Sequence, residues 1–370
     1  MRRRIGIFVL IIQSILFLVH IFIYESWKFF WEVNGSPGNS SLQITMAILS
    51  VSFVSASLLG YRYSHSLVRM FYTSAAVWLG FVNFGFLGAC ACWIFYGGLR
   101  MAGVHADRRL LAGAFLGIAI LVTLSGIFNA YTVRVRKITV KLPNLPESWR
   151  GRVAAHVSDL HLGHVRNLRF IRRIVAMLTR LKPDAVFITG DLFDGVAVDV
   201  DRVSRPWTEM AAPLGTYFIT GNHEEFSDRT KYLEAVKRSG VRILENEKVL
   251  VDGLQIVGVH DRDAAPRERF RSLLNRAALD RERASLLLVH EPRHLSVAEE
   301  AGISLQLCGH THRGQFFPFT LIVSGIYKQY AYGLQTFGKL SVYTTCGTGT
   351  WGPPVRLGTS PEIVLIRFES

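Results

Sequence analysis

Five short blocks of metal-ligand residues occur in one region of the chain, each directly after a run of apolar residues. In order, the blocks are Asp159-Leu160-His161, Gly190-Asp191, Gly221-Asn222-His223-Glu224, His290 and Gly309-His310-Thr311-His312. A mixture of carboxylate and imidazole ligands favours zinc, manganese or iron over calcium or magnesium. Two such metals about 3.5–4 Å apart can clamp a phosphate and activate water near neutral pH. The residue types therefore fit a pair of metals that acts on a phosphate group.

A predicted strand precedes each block and must position it. The apolar runs, such as Phe187-Ile188-Thr189 and Leu287-Leu288-Val289, contain mostly β-branched and aliphatic residues and predict buried strands. In open α/β sheets, binding sites form beyond the carboxyl ends of the strands. We therefore expect five strands to deliver these blocks to one edge. On a straight strand, Asp159 and His161 would share a face because they are two residues apart.

The ordered set of blocks resembles the calcineurin-like metallophosphoesterase family, and the resemblance covers roughly residues 150 to 350. It implies a two-layer sandwich of mixed β-sheets flanked by helices, which hydrolyses phosphoesters or pyrophosphates with two divalent ions (Mn, Zn or Fe). It assigns one metal to Asp159, His161, Asp191 and His312. It assigns the other metal to Asp191, Asn222, His290 and His310, so that Asp191 bridges the two metals. His223 then binds no metal, and protonates the leaving oxygen or stabilises charge on the phosphoryl group.

The residue after the last block departs from the family pattern. Close relatives usually continue with Gly-Gly-Gln, whereas this chain has Arg313-Gly314-Gln315. Arg313 is either a substrate-binding residue beside an anion or a solvated loop residue. Four further histidines of this region match no motif, and we interpret them as structural: His156, His164, His260 and His294.

The first third of the chain is apolar and basic. The protein has 370 residues and a formal net charge of +14, yet residues 1–130 contain only three acidic side chains. Four apolar runs, at about residues 5–30, 42–61, 71–96 and 110–130, are long enough to span a bilayer. We expect a membrane anchor of four helices over 1–130 and a catalytic domain over 131–370. The four cysteines suggest no disulfide framework, and no basic motif interleaved with aromatic residues indicates nucleic acid.

Charge around the spans predicts their orientation. With four spans, the N-terminus and the catalytic domain lie on one side, which carries eight Lys or Arg residues against four on the other. The positive-inside rule then places the domain in the cytoplasm, with the bacterial inner membrane as the expected location. A signal peptide is the alternative for the first run, but that run is long and three more spans follow. No span has an acidic residue in its middle, so an anchor is favoured over transport or sensing.

The catalytic domain alternates strands with helices from Gly151 onward, which indicates an α/β domain. An outer strand is expected at Thr132–Val140 and a final strand at Ile363–Phe368. Helices are expected at Asn167–Leu181, Ser227–Ser239, Arg267–Leu279 and His294–Ala301. The arginines of the first helix form either a solvated face or a contact with anionic lipid.

An aromatic stretch follows the last metal block. Residues 316–337 contain seven aromatic side chains and one charged residue, Lys328. The stretch is either a hairpin buried in the core or an apolar wall that accepts an acyl chain or enters the membrane interface. The Gly- and Pro-rich segment from Thr345 to Arg356 is expected to border the same cleft.

Within the superfamily, the resemblance is to the membrane-anchored branch. That branch includes transmembrane proteins with a metallophosphoesterase domain and relatives that act as UDP-2,3-diacylglucosamine hydrolases. The expected substrate is a phosphodiester or pyrophosphate on a lipid or nucleotide-lipid. One alternative is a tethered phosphatase or phosphodiesterase for soluble or protein substrates. The other is a membrane sensor or scaffold with a structural metal site, against which the presence of His223 counts.

Overall fold

The computed structural model describes residues 2–32, 37–226 and 228–370. The chain divides into two compact units. One unit contains the residues up to Phe128 together with Gly352–Val355, and the other contains Asn129–Trp351 and Arg356–Ser370. Ser227, the first residue of one predicted helix, lies outside the described residues.

Four long apolar helices make up most of the first unit: α1 (Arg2–Trp31), α2 (Pro37–Arg62), α3 (Ser66–Met101) and α4 (Arg108–Ala130). Each is long and apolar enough to cross a membrane. Polar side chains join α1 to α3: Trp78 Nε1 donates to His20 Nε2 at 3.0 Å, and Trp93 Nε1 donates to Ser26 Oγ at 2.9 Å. Large apolar side chains point outward instead, as lipid-facing residues do. The protein is therefore a multi-pass membrane protein.

Two mixed sheets form the centre of the second unit. The strands are β1 (Arg134–Lys141), β2 (Val153–Val157), β3 (Ala185–Thr189), β4 (Thr216–Ile219), β5 (Arg242–Ile243), β6 (Glu247–Val251), β7 (Leu254–Gly258), β8 (Ser285–Leu288), β9 (Leu305–Cys308), β10 (Gly333–Phe337), β11 (Leu340–Thr344) and β12 (Glu362–Glu369). The first sheet has the order β1-β12-β2-β3-β4-β5, and the second has the order β10-β11-β9-β8-β7-β6. The pairs β2-β3-β4 and β7-β8-β9 run parallel.

Helices cover the outer faces of the two sheets. They are α5 (Leu168–Leu181), α6 (Val200–Ser204), α7 (Arg229–Arg238), α8 (Asp261–Ala264), α9 (Arg267–Arg276) and α10 (Leu295–Glu300). A further helix, α11 (Phe319–Tyr327), has no buried residue. Strand β8 shows why the predicted strands are apolar throughout: both of its faces are buried. Leu286 and Leu288 pack into the core shared by the two sheets, whereas Leu287 packs outward with Phe270 of α9 and Val297 of α10. The predicted sandwich of mixed sheets flanked by helices is confirmed.

Local signals place the helices and strands close to their expected bounds. The Asn167 side chain accepts a hydrogen bond from the Arg169 backbone N–H and caps α5. Helix α5 buries Ile171, Ile174 and Leu178, as the helical spacing predicts. The final strand β12 has an unexpected position, because it lies inside the first sheet, parallel to β1 and antiparallel to β2.

Candidate metal centre

The five metal-ligand blocks begin just beyond the ends of β2, β3, β4, β8 and β9. The predicted ligands do not lie on straight strands, so the expectation that Asp159 and His161 share a strand face is wrong. Their φ angles are 53° and 48°, and those of Asp191, His310 and His312 are 49°, 66° and 47°. Such left-handed residues are uncommon and cluster at functional sites. Turns at the strand ends, rather than strand pleating, bring these side chains together.

The first predicted ligand set forms one cluster. The Nε2 atoms of His161 and His312 are 3.0 Å apart. His312 Nε2 lies 3.5 Å from Asp159 Oδ1, and His161 Nε2 lies 3.8 Å from Asp191 Oδ2. Donor atoms of Asp159, His161 and His312 therefore lie within 4.8 Å of one another, and Asp191 approaches this group through His161.

The second predicted set forms an adjoining cluster. His290 Nε2 lies 3.2 Å from both Asp191 Oδ2 and Asn222 Oδ1. His310 Nδ1 lies 3.0 Å from Asn222 Oδ1 and 3.2 Å from His290 Nε2. Because Asp191 Oδ2 approaches a histidine of each cluster, Asp191 occupies the position that a bridging carboxylate requires.

The donor set fits divalent metals. With metal–ligand distances of about 2.0–2.2 Å, donor atoms around one ion lie about 3.0–3.4 Å apart, close to the separations in both clusters. The orientation of His290 also fits, because its Nδ1 donates to Thr189 O at 2.7 Å and its Nε2 points into the cluster. Mixed nitrogen and oxygen donors are typical of zinc, manganese and iron sites.

Asp194 is a site residue that the sequence reasoning missed. Its Oδ1 lies 3.2 Å from His161 Nδ1, and its backbone carbonyl accepts a hydrogen bond from His223 Nδ1 at 3.1 Å. Asp194 therefore contacts both imidazoles, and its carboxylate approaches the His161 nitrogen that faces away from the cluster. The available signal was its position in the run Gly190-Asp191-Leu192-Phe193-Asp194, close behind a predicted ligand.

Glu224 holds together the two loops that carry Asp191 and Asn222. Its fully buried carboxyl group accepts backbone hydrogen bonds from Asp191 N at 3.0 Å, Phe193 N at 3.0 Å and Gly221 N at 2.7 Å. Burial and the charge of Asp191 raise the pKa of Glu224 to about 7, against the opposing effect of the backbone donors. Its role is to position the loops.

Two glycines of the motifs allow the backbone to pass close to the acidic ligands. A Cβ atom on Gly221 would overlap the Asp191 carboxylate, and one on Gly309 would overlap Ser158 Oγ and Asp159 Oδ2. Asp159 in turn accepts a hydrogen bond from the His310 backbone N–H at 3.0 Å. The glycines are therefore required by close packing at the strand ends.

Burial and charge act against each other at the centre. Burial alone would raise the pKa of Asp191, but His290, His223 and His161 outweigh it and hold that pKa well below its usual range. Burial lowers the pKa of His290, but the neighbouring Asp191 outweighs burial and raises it. Burial lowers the pKa of His310 to about 3. Asp191 is therefore ionised and His310 neutral, the protonation states that bind metals, whereas His290 must release a proton when a metal binds.

The segment that begins at Thr345 lines the first cluster, as expected. The backbone N–H groups of Thr348 and Gly349 donate to Ser158 O at 2.8 Å and Asp159 O at 2.9 Å. The buried Arg356 guanidinium donates to the carbonyls of His312 at 3.0 Å and Gly349 at 2.6 Å. This arginine, which no motif indicated, ties the last metal block to the segment.

The aromatic stretch is divided between two structures. Residues 333–337 form β10, which pairs with β11, so part of the expected hairpin exists. Helix α11 is not buried, however: none of its nine residues is, and Leu321, Ile322 and Ile326 are 64%, 54% and 66% exposed. A buried hairpin is therefore the wrong description for 319–327.

The remaining predicted residues lie around the centre. Arg313 directly follows His312, is exposed, and has a φ of 48°. His156 and His260 contact the strand ends through Thr189 Oγ1 at 2.8 Å and the Thr220 backbone N–H at 3.1 Å. His294 contacts Ala265 O at 3.0 Å, and His164 is buried.

Comparison with known proteins gives consistent matches. The calcineurin-like phosphoesterase family matches residues 153–314. An uncharacterised metallophosphoesterase of Aquifex aeolicus is 30% identical over 261 residues, 68% of this chain and 98% of the relative. A transmembrane protein with metallophosphoesterase domain from Danio rerio is 29% identical over 321 residues, 78% of this chain and 73% of the relative. An uncharacterised metallophosphoesterase of Campylobacter jejuni is 28% identical over 267 residues, 71% of this chain and 70% of the relative.

These matches agree with the two-sheet fold, the clustered histidines and carboxylates, and the four apolar helices. The chain therefore belongs to the calcineurin-like metallophosphoesterases, as a membrane-linked, metal-dependent phosphoester hydrolase.

Proposed function

We propose that the protein is a membrane-anchored phosphohydrolase that cleaves a phosphodiester or pyrophosphate bond in a lipid or nucleotide-lipid, such as UDP-2,3-diacylglucosamine. The observation that carries this proposal is helix α11. It follows the last metal block and ends at Tyr327, whose ring centroid is 6.3 Å from that of His310. Tyr327 also donates to Glu291, the neighbour of His290, at 2.8 Å.

Helix α11 contains no charged residue and exposes its large aliphatic side chains beside the metal clusters. Exposed apolar surface of this kind marks binding sites for membranes or apolar ligands. An acyl chain covering Leu321, Ile322 and Ile326 would remove that surface from water. This arrangement favours an acylated substrate over a wholly soluble one.

We assign the metal ligands as the family resemblance does: Asp159, His161, Asp191 and His312 on one ion, and Asp191, Asn222, His290 and His310 on the other. Two divalent ions, when bound, supply the Lewis acidity and positive charge that phosphoryl transfer requires. The protein's part is to hold these donors rigidly on buried strand ends and to keep the imidazoles in the metal-binding tautomer.

His223 is assigned as the proton donor to the leaving oxygen. Its backbone N–H donates to Asp191 Oδ1 at 2.9 Å, which keeps the residue beside the predicted bridging carboxylate. Its ring Nδ1 donates to Asp194 O at 3.1 Å, which fixes the ring orientation and leaves proton transfer to Nε2.

The test compares initial rates of the Mn-loaded protein in detergent on UDP-2,3-diacylglucosamine and on a soluble aryl phosphodiester. We expect a strong preference for the acylated substrate, and loss of both activities in His223→Ala. Equal or faster turnover of the soluble diester would overturn the lipid assignment and favour a tethered phosphodiesterase. Full activity of His223→Ala would overturn the proposed mechanism, and metal binding without turnover of any phosphoester would favour a scaffold.

We also propose that the catalytic domain faces the cytoplasm, at a bacterial inner membrane. The support is the count of Lys and Arg residues, eight against four on the two sides of the predicted spans. Cysteine labelling from each side of intact cells, at an exposed position such as Ser324 of α11, tests this orientation. Labelling of intact, unpermeabilised cells from outside would instead place the catalytic domain on the side away from the cytoplasm.

A further inference from the structure

We propose that Arg134, Arg136 and Arg313 form a second anion site, which binds a phosphate group of the substrate other than the one that is cleaved. The inference rests on the proposed function, because it describes how the same substrate is held. Within the second unit, these arginines line a cavity of about 550 Å³ together with Tyr332, Cys346 and Glu362.

Two different elements bring the arginines together. Arg134 and Arg136 are two residues apart on β1, so they lie on the same face of that edge strand. Arg313 comes from the loop that follows His312, in a left-handed backbone conformation. The cavity also adjoins the metal centre in space. Gly347 follows Cys346, and a Cβ atom on Gly347 would lie 2.9 Å from Asp159 Cβ and 3.3 Å from His312 Nδ1.

Tyr332 links two of these cations. Its ring centroid lies 5.2 Å from Arg136 Cζ and 4.9 Å from Arg313 Cζ. Arg136 Nη1 also donates to the Tyr332 hydroxyl at 2.8 Å. Contacts with an aromatic face hold a guanidinium in place without neutralising it, so both groups keep N–H donors for an anion.

The one acidic residue of the cavity is already occupied. Glu362 is 4% exposed and accepts hydrogen bonds from Tyr332 at 2.9 Å, Tyr343 at 3.2 Å, Thr345 at 2.8 Å and the Cys346 backbone N–H at 3.3 Å. Among the described residues, none of the three arginines has a carboxylate within ion-pair distance, unlike Arg152, Arg238 and Arg271. The cavity therefore has an excess of positive charge.

The chemistry of this excess identifies the ligand class. Guanidinium groups bind phosphate through paired N–H donors, and converging guanidinium groups suit the charge of a phosphate monoester or of one half of a pyrophosphate. Because the cavity adjoins Asp159 and His312, a bound substrate can place one phosphate on the metal clusters and another in the cavity. The substrate is accordingly expected to carry at least two phosphate groups.

The kinetic test uses two chromogenic substrates with the same scissile bond: thymidine 5′-(p-nitrophenyl phosphate) and the same compound with a 3′-phosphate. With the full-length, Mn-loaded protein, we expect at least a tenfold higher kcat/KM for the 3′-phosphorylated compound, mainly through KM. Arg134→Gln/Arg136→Gln and Arg313→Gln should bring the ratio close to one. The control, Arg267→Gln/Arg276→Gln, removes two exposed charges from α9 and should leave the ratio unchanged.

A binding test separates this inference from the proposed function. Full-length protein treated with EDTA is titrated with inorganic phosphate and with short-chain phosphatidic acid, so that metal-dependent turnover plays no part. Binding that either arginine variant weakens at least tenfold supports the anion site, and binding of phosphatidic acid alone shows that the phosphate must be carried on a lipid. The anion site would be excluded if the variants bound phosphate and phosphatidic acid as tightly as the wild type does. It would also be excluded if the wild type had nearly equal kcat/KM values for the two chromogenic substrates.

Discussion

Asp194 Oδ1 lies 3.2 Å from His161 Nδ1, while Nε2 of the same ring lies 3.0 Å from His312 Nε2. The carboxylate thus approaches the nitrogen that does not face the cluster. Burial lowers the pKa of His161, but Asp194, Asp191 and Asp159 outweigh burial and raise it. Such a carboxylate partner fixes the ring and makes the facing nitrogen a better metal ligand.

Replacing Asp194 should therefore weaken metal binding without removing a ligand. For Asp194→Ala we expect roughly a 10–100-fold loss of Mn²⁺ affinity, measured by calorimetry on metal-free protein. Asp194→Asn keeps an oxygen acceptor for His161 and should lose less. Equal affinity in wild type and both variants would contradict the proposed role.

Asp191→Asn should affect both clusters at once. Its carboxylate lies between His161 and His290, so an amide would weaken ligation on either side. We expect loss of phosphohydrolase activity and, in purified protein analysed by mass spectrometry of metals, less than half the wild-type metal content. Asp252→Asn, at an exposed turn of the same unit, is the matched control. Normal activity of Asp191→Asn would exclude the bridging assignment.

Polar substitutions on α11 should change substrate preference but not stability. The variant Leu321→Ser/Ile322→Ser/Ile326→Ser removes exposed aliphatic groups, so the midpoint of thermal unfolding should stay within about 2 °C, as for most surface changes. The KM for an acylated substrate should rise at least about tenfold, and that for a soluble diester should not change. This magnitude corresponds to the apolar area removed from the binding surface.

Leu250→Ser serves as the control for this variant, because Leu250 is an exposed aliphatic residue (60%) on β6. If both variants raised the KM for the acylated substrate equally, a specific role for α11 would be excluded.

His260 should make folding stability fall in acid. The residue is 1% exposed, and its Nδ1 accepts a hydrogen bond from the Thr220 backbone N–H. Burial, Arg229 and Arg262 lower its pKa to about 4, with Asp263 opposing. Above pH of about 6.5 the ring is neutral in both folded and unfolded protein, so it has no effect. Below that pH only the unfolded chain takes up the proton, and stability falls until about pH 4.

The expected loss is up to about 3 kcal/mol over this range. It is measured by chemical unfolding of the detergent-solubilised protein between pH 7 and pH 4. His260→Asn keeps an acceptor for Thr220 but does not titrate, so its stability should vary less with pH than that of the wild type. Parallel pH profiles for the two proteins would show that His260 makes no contribution.

The sequence predicted the five strands that precede the metal blocks, because each is a short apolar run that both faces of a sheet can bury. It predicted which residues would meet, because ligand types recur after those strands. It did not predict how they meet: the turns at Asp159 and His161 have positive φ, which side-chain periodicity does not reveal. Asp194 and Arg356 were missed for a related reason, since they act through loops whose path is set by distant contacts.

The position of helix α11 could not be predicted from the sequence either. An apolar, aromatic-rich sequence is expected both in a core and at a membrane interface, because each removes apolar groups from water. Only the position of residues 319–327 relative to the sheets distinguishes the two, and that position depends on residues far along the chain.

Strand β12 has a consequence for biosynthesis. It lies between β1 and β2, and it pairs Glu362 with Arg134 and Val364 with His156. As the chain leaves the ribosome, β2, β3 and β4 can pair early, but β1 has no neighbour until β12 emerges as the last of the strands. Strand β1 therefore remains unpaired while β2, β3 and β4 form the central part of the first sheet. Such long-range pairing slows folding, and a ribosome stalled before residue 362 would expose both the β1 edge and an incomplete sheet.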